Sequence, residues 1–269
     1  MPRGDVKKRL RSALKQLEEQ FTGNADLERL REMVPYLRGL LTAAYPSDAK
    51  IAEEVTRVLG AKFRQGLRSL PKRHKIEVHR LGPEIIAAQY RPLLRQRIQA
   101  SAELIRLNRD QEIDRQLRRF VGWATGAVPS QAKRKDKGEL SKGVTKSLQQ
   151  DTFERRRVCI DQGHKLLAAV DDVIAMEHGA IAKKWRHVIP HAGYQSREEH
   201  LERDGIVYAV KGNEMLAARR MRKAGRPYAE DVDPQPAVAV YCRCFWEAIY
   251  DLEDLPADMR VGVLKHANS

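Results

Sequence analysis

Apolar residues recur every three to four positions through the first two-thirds of the chain, and this spacing limits the fold more than any other feature. It places apolar side chains on one face of an α-helix, so it predicts amphipathic helices that bury that face. Pro35 lies inside the second such pattern and is expected to kink or split the helix. The predicted helices cover residues 6–21, 26–41, 47–59, 83–120 and 142–178.

The pattern changes after Gly179. KKWRHVIP at 183–190, GIVYAV at 205–210 and the Val-, Tyr- and Trp-rich segment 237–250 are typical of short β-strands. A run of helices followed by a run of strands predicts an α+β fold. We therefore expect a mostly helical N-terminal two-thirds and a small C-terminal α+β module, in which a few-stranded sheet packs on the long helix at 142–178.

The composition divides the predicted fold into four parts. We expect a basic helical domain at 1–127, a basic linker at 128–143, the α+β module at 144–252 and a C-terminal tail at 253–269.

No run of 18 or more apolar residues occurs, so no membrane association is expected. The first residues lack the apolar segment of a secretory signal, and three cysteines do not suggest a disulfide framework. Synthesis in a reducing cytoplasm follows as the expectation.

The charge is strongly positive, and the excess lies in the N-terminal part. The chain has 50 Lys and Arg against 36 Asp and Glu, a formal net charge of +14. Residues 1–120 hold 26 of the basic and 15 of the acidic residues, which leaves 24 and 21 for 121–269. Such a surplus favours a polyanionic partner, nucleic acid before anionic lipid. A solvated helical surface without a partner is the alternative.

Two basic clusters are candidate nucleic-acid contacts. We expect the segments 64–80 and 133–146 to face a polyanion, because both are rich in Lys and Arg and lie between predicted helices or beside a linker. Contacts of this kind go to phosphates and do not read the base sequence. The candidate residues are Arg64, Arg68, Lys72, Arg73, Lys75, Arg80, Lys133, Arg134, Lys135 and Lys137.

Three short motifs follow one another in the predicted module: KKW, REEHLERDG and YCRC. Their order and spacing resemble the phage Mu F-like, or phage head morphogenesis, family of minor capsid proteins, which carries K-x-W, R-x-x-H-x-x-x-D-G and N-C-R-C. Tyr241 stands where the family usually has Asn, and DPQP stands where it often has a Pro-Gly turn. The resemblance covers residues 140–250. The matching motif residues are Lys184, Trp185, Arg197, His200, Asp204, Gly205, Cys242, Arg243 and Cys244.

This resemblance implies a structural minor head protein of a tailed bacteriophage that acts in head assembly. The partners it implies are the portal protein, the major capsid protein or both, together with packaged double-stranded DNA bound non-specifically. The implied location is the virion, at the portal vertex or in the capsid interior, and the host cytoplasm during assembly. A homo-oligomer is expected if the long helices form an extended arm, because an isolated arm would expose its apolar stripe.

Two cysteines and a histidine of these motifs are a candidate metal site. Positions i and i+2 of a strand share a face, so Cys242 and Cys244 would point one way and Arg243 the other. Both thiols and His200 could bind zinc, which accepts sulfur and nitrogen ligands. The alternative is that the cysteines pack as small apolar groups and His200 forms hydrogen bonds within its loop. Residues that could supply a fourth ligand are His187, His191 and Asp204.

Other residues of the module have structural interpretations. Trp185 is expected to anchor the core, and Cys159, on a predicted helix, is expected to be buried in the core. Gly205 is expected to take a positive φ, with Asp204 accepting hydrogen bonds in the turn before the second strand. Two roles remain open for Arg197: an ion pair with a neighbouring acidic residue, or contact with DNA.

Two other functions remain open from the residues alone. A nuclease, or a nuclease-derived toxin domain on a helical carrier, could use His187, His191 and His200 as acid or base and Lys184 to stabilise phosphate charge. The chain has no P-loop, H-E-x-x-H, G-x-S-x-G or carboxylate cluster of a two-metal site, so no enzymatic activity is expected. The third function is a helical nucleic-acid-binding protein whose C-terminal module only mediates dimerisation.

Overall fold

The computed structural model describes residues 8–15, 27–68, 87–125, 139–189, 193 and 195–261. Residues 8–15 are helical and belong to α1. Four longer helices follow: α2 (Leu27–Ala44), α3 (Asp48–Leu67), α4 (Arg91–Thr125) and α5 (Glu139–Glu177). Two short helices, α6 (Glu198–Glu202) and α7 (Glu214–Ala217), lie among the strands β1 (Ala182–Arg186), β2 (Val207–Ala209) and β3 (Phe245–Ile249). The predicted α+β fold, mostly helical with a small C-terminal sheet, is confirmed.

Pro35 does not split its helix, because α2 continues through it from Leu27 to Ala44. A proline inside a helix removes one backbone hydrogen bond. Leu30, Leu37 and Leu41 of the same helix are buried in a shared core, and this burial offsets the loss.

No helix among the described residues is long and apolar enough to cross a membrane.

The chain forms two compact units, and each combines two stretches of sequence. The first unit is Met1–Arg57 with Ile98–Cys159, and the second is Val58–Arg97 with Ile160–Ser269. Each unit therefore depends on segments that lie far apart in the chain. The linear limits predicted at 127, 143 and 252 stay a prediction.

The first unit has an apolar core of helix faces, which includes Leu10, Leu37 and Phe120. Polar side chains are buried beside it. The Tyr45 hydroxyl and the Ser147 hydroxyl lie 2.6 Å apart, and burial raises the pKa of Tyr45 to about 12. Cys159 is 3% exposed, as its predicted core position requires.

Arg155 is the most deeply buried ion-paired arginine described in the first unit. Its side chain is 8% exposed, and its Nε donates to Asp151 Oδ2 at 2.9 Å, one helical turn earlier on α5. Its Nη1 also pairs with Glu54 of α3. The guanidinium thereby joins two helices through two carboxylates.

In the helical part of the second unit, α5 packs against the C-terminal end of α3. Phe63 and Leu67 of α3 share a buried cluster with Leu166, Val170 and Ile174 of α5. These positions of α5 are each four residues apart, so one face of the helix is buried there.

The sheet of the second unit has the strand order β2-β1-β3, and both pairings are antiparallel. In β1, alternate residues face opposite sides. Ala182 lies with Val207, Ala209 and Ile249 in one buried cluster, while Trp185 lies in the other. Lys183 shares the Trp185 side of β1, and its Nζ lies 2.6 Å from Asp172 Oδ1 of α5. The sheet is therefore buried on both faces, and one face is tied to α5.

The predicted long strand at 237–250 is shorter in the structure. Only Phe245–Ile249 is extended as β3, and residues 237–244 form a turn-rich segment. Ala237 and Tyr241 have positive φ values of 64° and 61°, which a β-strand does not accommodate. The prediction that Cys242 and Cys244 lie on a strand was therefore wrong.

Candidate functional site

Residues from all three sequence motifs meet on the Trp185 side of the sheet. Trp185 is fully buried, and its ring meets that of Trp246 edge-on with centroids 5.3 Å apart. The imidazole of His200 on α6 packs edge-on against Trp185 with centroids 5.5 Å apart, and His200 is 2% exposed. The predicted role of Trp185 as a core anchor is confirmed.

Two imidazoles and two thiols lie beside Trp185, and we name them the His–Cys cluster: His187, His200, Cys242 and Cys244. Nδ1 of His200 lies 3.6 Å from Sγ of Cys242 and 3.4 Å from Sγ of Cys244. Nδ1 of His187 lies 3.3 Å from Sγ of Cys244. The three residues singled out from the sequence are thus brought together, although by a turn rather than a strand. His187, which directly follows β1, joins them.

The remaining polar atoms of the two histidines face other side chains. His187 Nε2 lies 2.8 Å from the Ser196 hydroxyl. His200 Nε2 lies 3.4 Å from Glu199 Oε1 but has no hydrogen bond of good geometry. The backbone N–H of His187 donates to Asp204 Oδ1 at 2.8 Å. Asp204 therefore accepts a backbone hydrogen bond, and of the two described candidates for a fourth ligand His187 is the one that approaches a thiol. His191 lies outside the described residues.

The two thiols share one ionisation. The pKa of Cys242 is lowered, first by the hydrogen bond from the Cys244 thiol and then by the backbone N–H groups of Cys244 and Ala237. The pKa of Cys244 is raised, because its proton is held by Cys242 and because burial disfavours its thiolate. The sulfur of Cys242 is thus surrounded by donors that favour a thiolate.

The Asp204-Gly205 turn is joined to β1 through its backbone. Gly205 has a φ of +80°, as predicted, and its N–H donates to the Trp185 carbonyl at 2.9 Å. The Trp185 N–H in turn donates to the carbonyl of Ile206 at 2.9 Å. The second motif is therefore held directly against the first.

Two arginines of the second motif bind it to backbone carbonyls of residues 233–240, which precede β3. Arg197 Nη2 donates to the Val240 carbonyl at 3.1 Å, so this motif arginine contacts backbone rather than a neighbouring acid. Arg203 lies over the Trp185 ring at 5.3 Å and donates to the carbonyls of Asp233 and Pro234. Nothing in the sequence distinguished Arg203 from the other basic residues of its loop.

The other two motif residues lie apart from the His–Cys cluster. Lys184 is half-buried, and strand alternation places it on the opposite side of β1 from Trp185. Arg243 is half-buried near His164, whose pKa is lowered first by burial and then by the charge of Arg243. Neither residue contributes to the geometry of the cluster.

The predicted nucleic-acid contacts are placed only in part. Arg64 and Arg68 are exposed at the end of α3. Lys142 and Lys146, in the second basic segment, are exposed on α5. The candidates outside the described residues are Lys72, Arg73, Lys75, Arg80, Lys133, Arg134, Lys135 and Lys137.

Comparison of the chain with protein-family models, with curated proteins and with solved structures gives no match. The function is therefore argued from the residues of the chain itself. The central observation is that motif residues from three separate segments occupy one buried site on the sheet.

Proposed function

We propose that this protein is a structural minor head protein of a tailed bacteriophage or prophage, acting in head assembly at or near the portal and the capsid interior. The observation that carries the proposal is the meeting of Trp185, Arg197, His200, Gly205 and the two cysteines at one site. These residues match an ordered set of family motifs, and residues that maintain one fold are expected to meet in this way. The proposed partners are the portal protein, the major capsid protein or both.

The geometry of the His–Cys cluster favours this structural role over nucleic-acid cleavage. A general acid or base must come within hydrogen-bond reach of the reacting group. His200 is 2% exposed, and its imidazole lies between Trp185 and the two thiols. Lys184 lies on the other side of β1 and is not placed to stabilise phosphate charge beside it. The described residues of the cluster thus resemble a structural core more than an open catalytic centre.

The test of this proposal is the protein content of purified particles from the phage or prophage that encodes the chain. Quantitative mass spectrometry of full and DNA-emptied heads should find the chain at low copy number, well below the major capsid protein. Retention in emptied heads would place it on the portal or shell, whereas its loss would indicate release with the DNA. Complete absence from full particles would overturn the proposal.

The proposal includes non-specific contact with packaged DNA through the basic segments 64–80 and 133–146. Neutralising both clusters with glutamine should weaken binding to duplex DNA at low salt by about tenfold or more, because it removes contacts with phosphates. Each lost contact should also reduce the steepness of log affinity against log salt by about 0.9. Arg219→Gln with Arg220→Gln, two exposed sites in the second unit, is a control for loss of positive charge outside the clusters and should change little. Unchanged DNA affinity after neutralising both clusters would contradict this part of the proposal.

A further inference from the structure

We propose that the His–Cys cluster is a structural zinc site, with His187, His200, Cys242 and Cys244 as its four ligands. The inference concerns the stability of the second unit and does not depend on the role in head assembly. Two imidazole nitrogens and two thiolate sulfurs form one of the common ligand sets of structural zinc.

Three distances between the candidate ligand atoms are close to those of a tetrahedral zinc centre. Zinc bonds of about 2.3 Å to sulfur and about 2.0–2.1 Å to nitrogen, spread at tetrahedral angles, separate a sulfur from a nitrogen ligand by about 3.6 Å. The three sulfur–nitrogen separations are 3.3, 3.4 and 3.6 Å. The ligand atoms of His187, His200 and Cys244 all lie within 4.8 Å of one another. Cys242 lies outside this group of three and adjoins it through His200 Nδ1 at 3.6 Å, so a bond from the ion to Cys242 would draw that sulfur towards the other three ligands.

The outer atoms of the histidines complete the arrangement. A histidine that binds zinc through Nδ1 keeps its proton on Nε2 and donates it to a nearby oxygen, which fixes the ring. Ser196 Oγ lies 2.8 Å from Nε2 of His187, and Glu199 Oε1 lies 3.4 Å from Nε2 of His200. Both rings thus direct Nδ1 to the sulfurs and Nε2 to an oxygen.

Hydrogen bonds alone leave this cluster poorly satisfied. A neutral imidazole has a single N–H, so Nδ1 of His200 can donate to only one of the two sulfurs that it faces. If Nδ1 carries that proton, the buried Nε2 is an acceptor that faces a carboxylate. A divalent cation removes both conflicts, because every Nδ1 and every sulfur then becomes a ligand. Two thiolates also balance the charge of the ion, so the buried site carries no net charge.

The size of the sheet gives zinc a clear physical role. The strands have only five, three and five residues. The ligands come from the residue after β1, from α6 and from the turn before β3, so one ion would join three segments around this small sheet. Metal-binding free energy contributes directly to folding when the site exists only in the folded state.

The test is the metal content of the full chain, purified without chelators and measured by inductively coupled plasma mass spectrometry. We expect one zinc ion per chain and a loss of most of that zinc in Cys244→Ser and in His187→Ala. Cys159→Ser and His178→Ala are matched controls, since Cys159 lies in the first unit and His178 is exposed, and both should keep the ion. Equal zinc loss in the controls would overturn the assignment.

Zinc and cobalt measurements on the wild-type chain keep the proposal testable if the variants fail to fold. X-ray absorption at the zinc edge should show two sulfur and two nitrogen ligands. Cobalt(II) in place of zinc should give the visible bands of a tetrahedral thiolate site, and a chelator should lower the melting temperature. The proposal would be overturned by a folded chain that takes up neither zinc nor cobalt from a small excess. It would also be overturned if X-ray absorption showed no sulfur among the ligands of the zinc.

Discussion

Replacement of Trp185 with alanine is expected to lower the free energy of unfolding of the second unit by about 3–5 kcal/mol, the range measured for large aromatic-to-alanine changes in protein cores. Trp185 is fully buried and contacts the rings of Trp246 and His200, and Arg203 covers its face. The substitution would leave a cavity beside a sheet of three short strands. We expect the surrounding side chains to fill this cavity only in part. Urea unfolding followed by far-UV circular dichroism measures the change.

The matched control for this prediction is Tyr36→Ala, which removes an aromatic ring that is 56% exposed on α2. Surface substitutions of this kind change stability by about 0.5 kcal/mol or less. Trp185→Phe should cost less than Trp185→Ala, because it keeps most of the apolar volume. A Trp185→Ala chain as stable as the Tyr36→Ala chain would show that the motif tryptophan does not hold the sheet together.

Arg155→Met is expected to destabilise the first unit by about 3 kcal/mol, because it removes the cation of a largely buried ion pair. Asp151, 11% exposed, loses the guanidinium that lies 2.9 Å away, and Glu54 loses it as well. Chemical denaturation of the full chain gives the difference from the wild type.

Two further variants separate charge from packing at this site. Arg156→Met changes the exposed neighbouring arginine on the same helix and should stay within about 0.5 kcal/mol of the wild type. Adding Asp151→Asn to Arg155→Met should recover part of the lost stability, since it removes the charge of a carboxylate that has lost this guanidinium. No recovery would mean that Arg155 acts mainly through the packing of its aliphatic chain.

The helices were predictable from the sequence because burial follows their 3.6-residue period. The turn at 237–244 was not, because its Val and Tyr content is typical of a strand. Val238 and Val240 are 60% and 59% exposed, so these β-branched residues do not mark a buried strand face. The positive φ at Ala237 and Tyr241 is adopted by residues other than glycine, and no local signal indicates it.

Some residues of the candidate site were predictable from the sequence, but the full set was not. Cys242, Cys244 and His200 stood out by residue type and by motif. His187 was one of three alternatives, since only the path of the chain after β1 decides which group approaches the thiols. Ser196 and Glu199 carried no signal, because serine and glutamate are common in exposed loops and their role depends on the orientation of a histidine ring.

The position of β1 at the centre of the sheet sets the order in which the protein can fold during translation. Lys183 pairs with Tyr208, 25 residues later, and with Ala248, 65 residues later. Contacts so distant in sequence form slowly, and a nascent chain acquires them last. Until β3 leaves the ribosome, one edge of β1 has no partner and Trp185 has no Trp246 to cover it. A message truncated shortly before codon 245 would therefore yield a chain that exposes an unpaired strand edge, a substrate for chaperones and proteases.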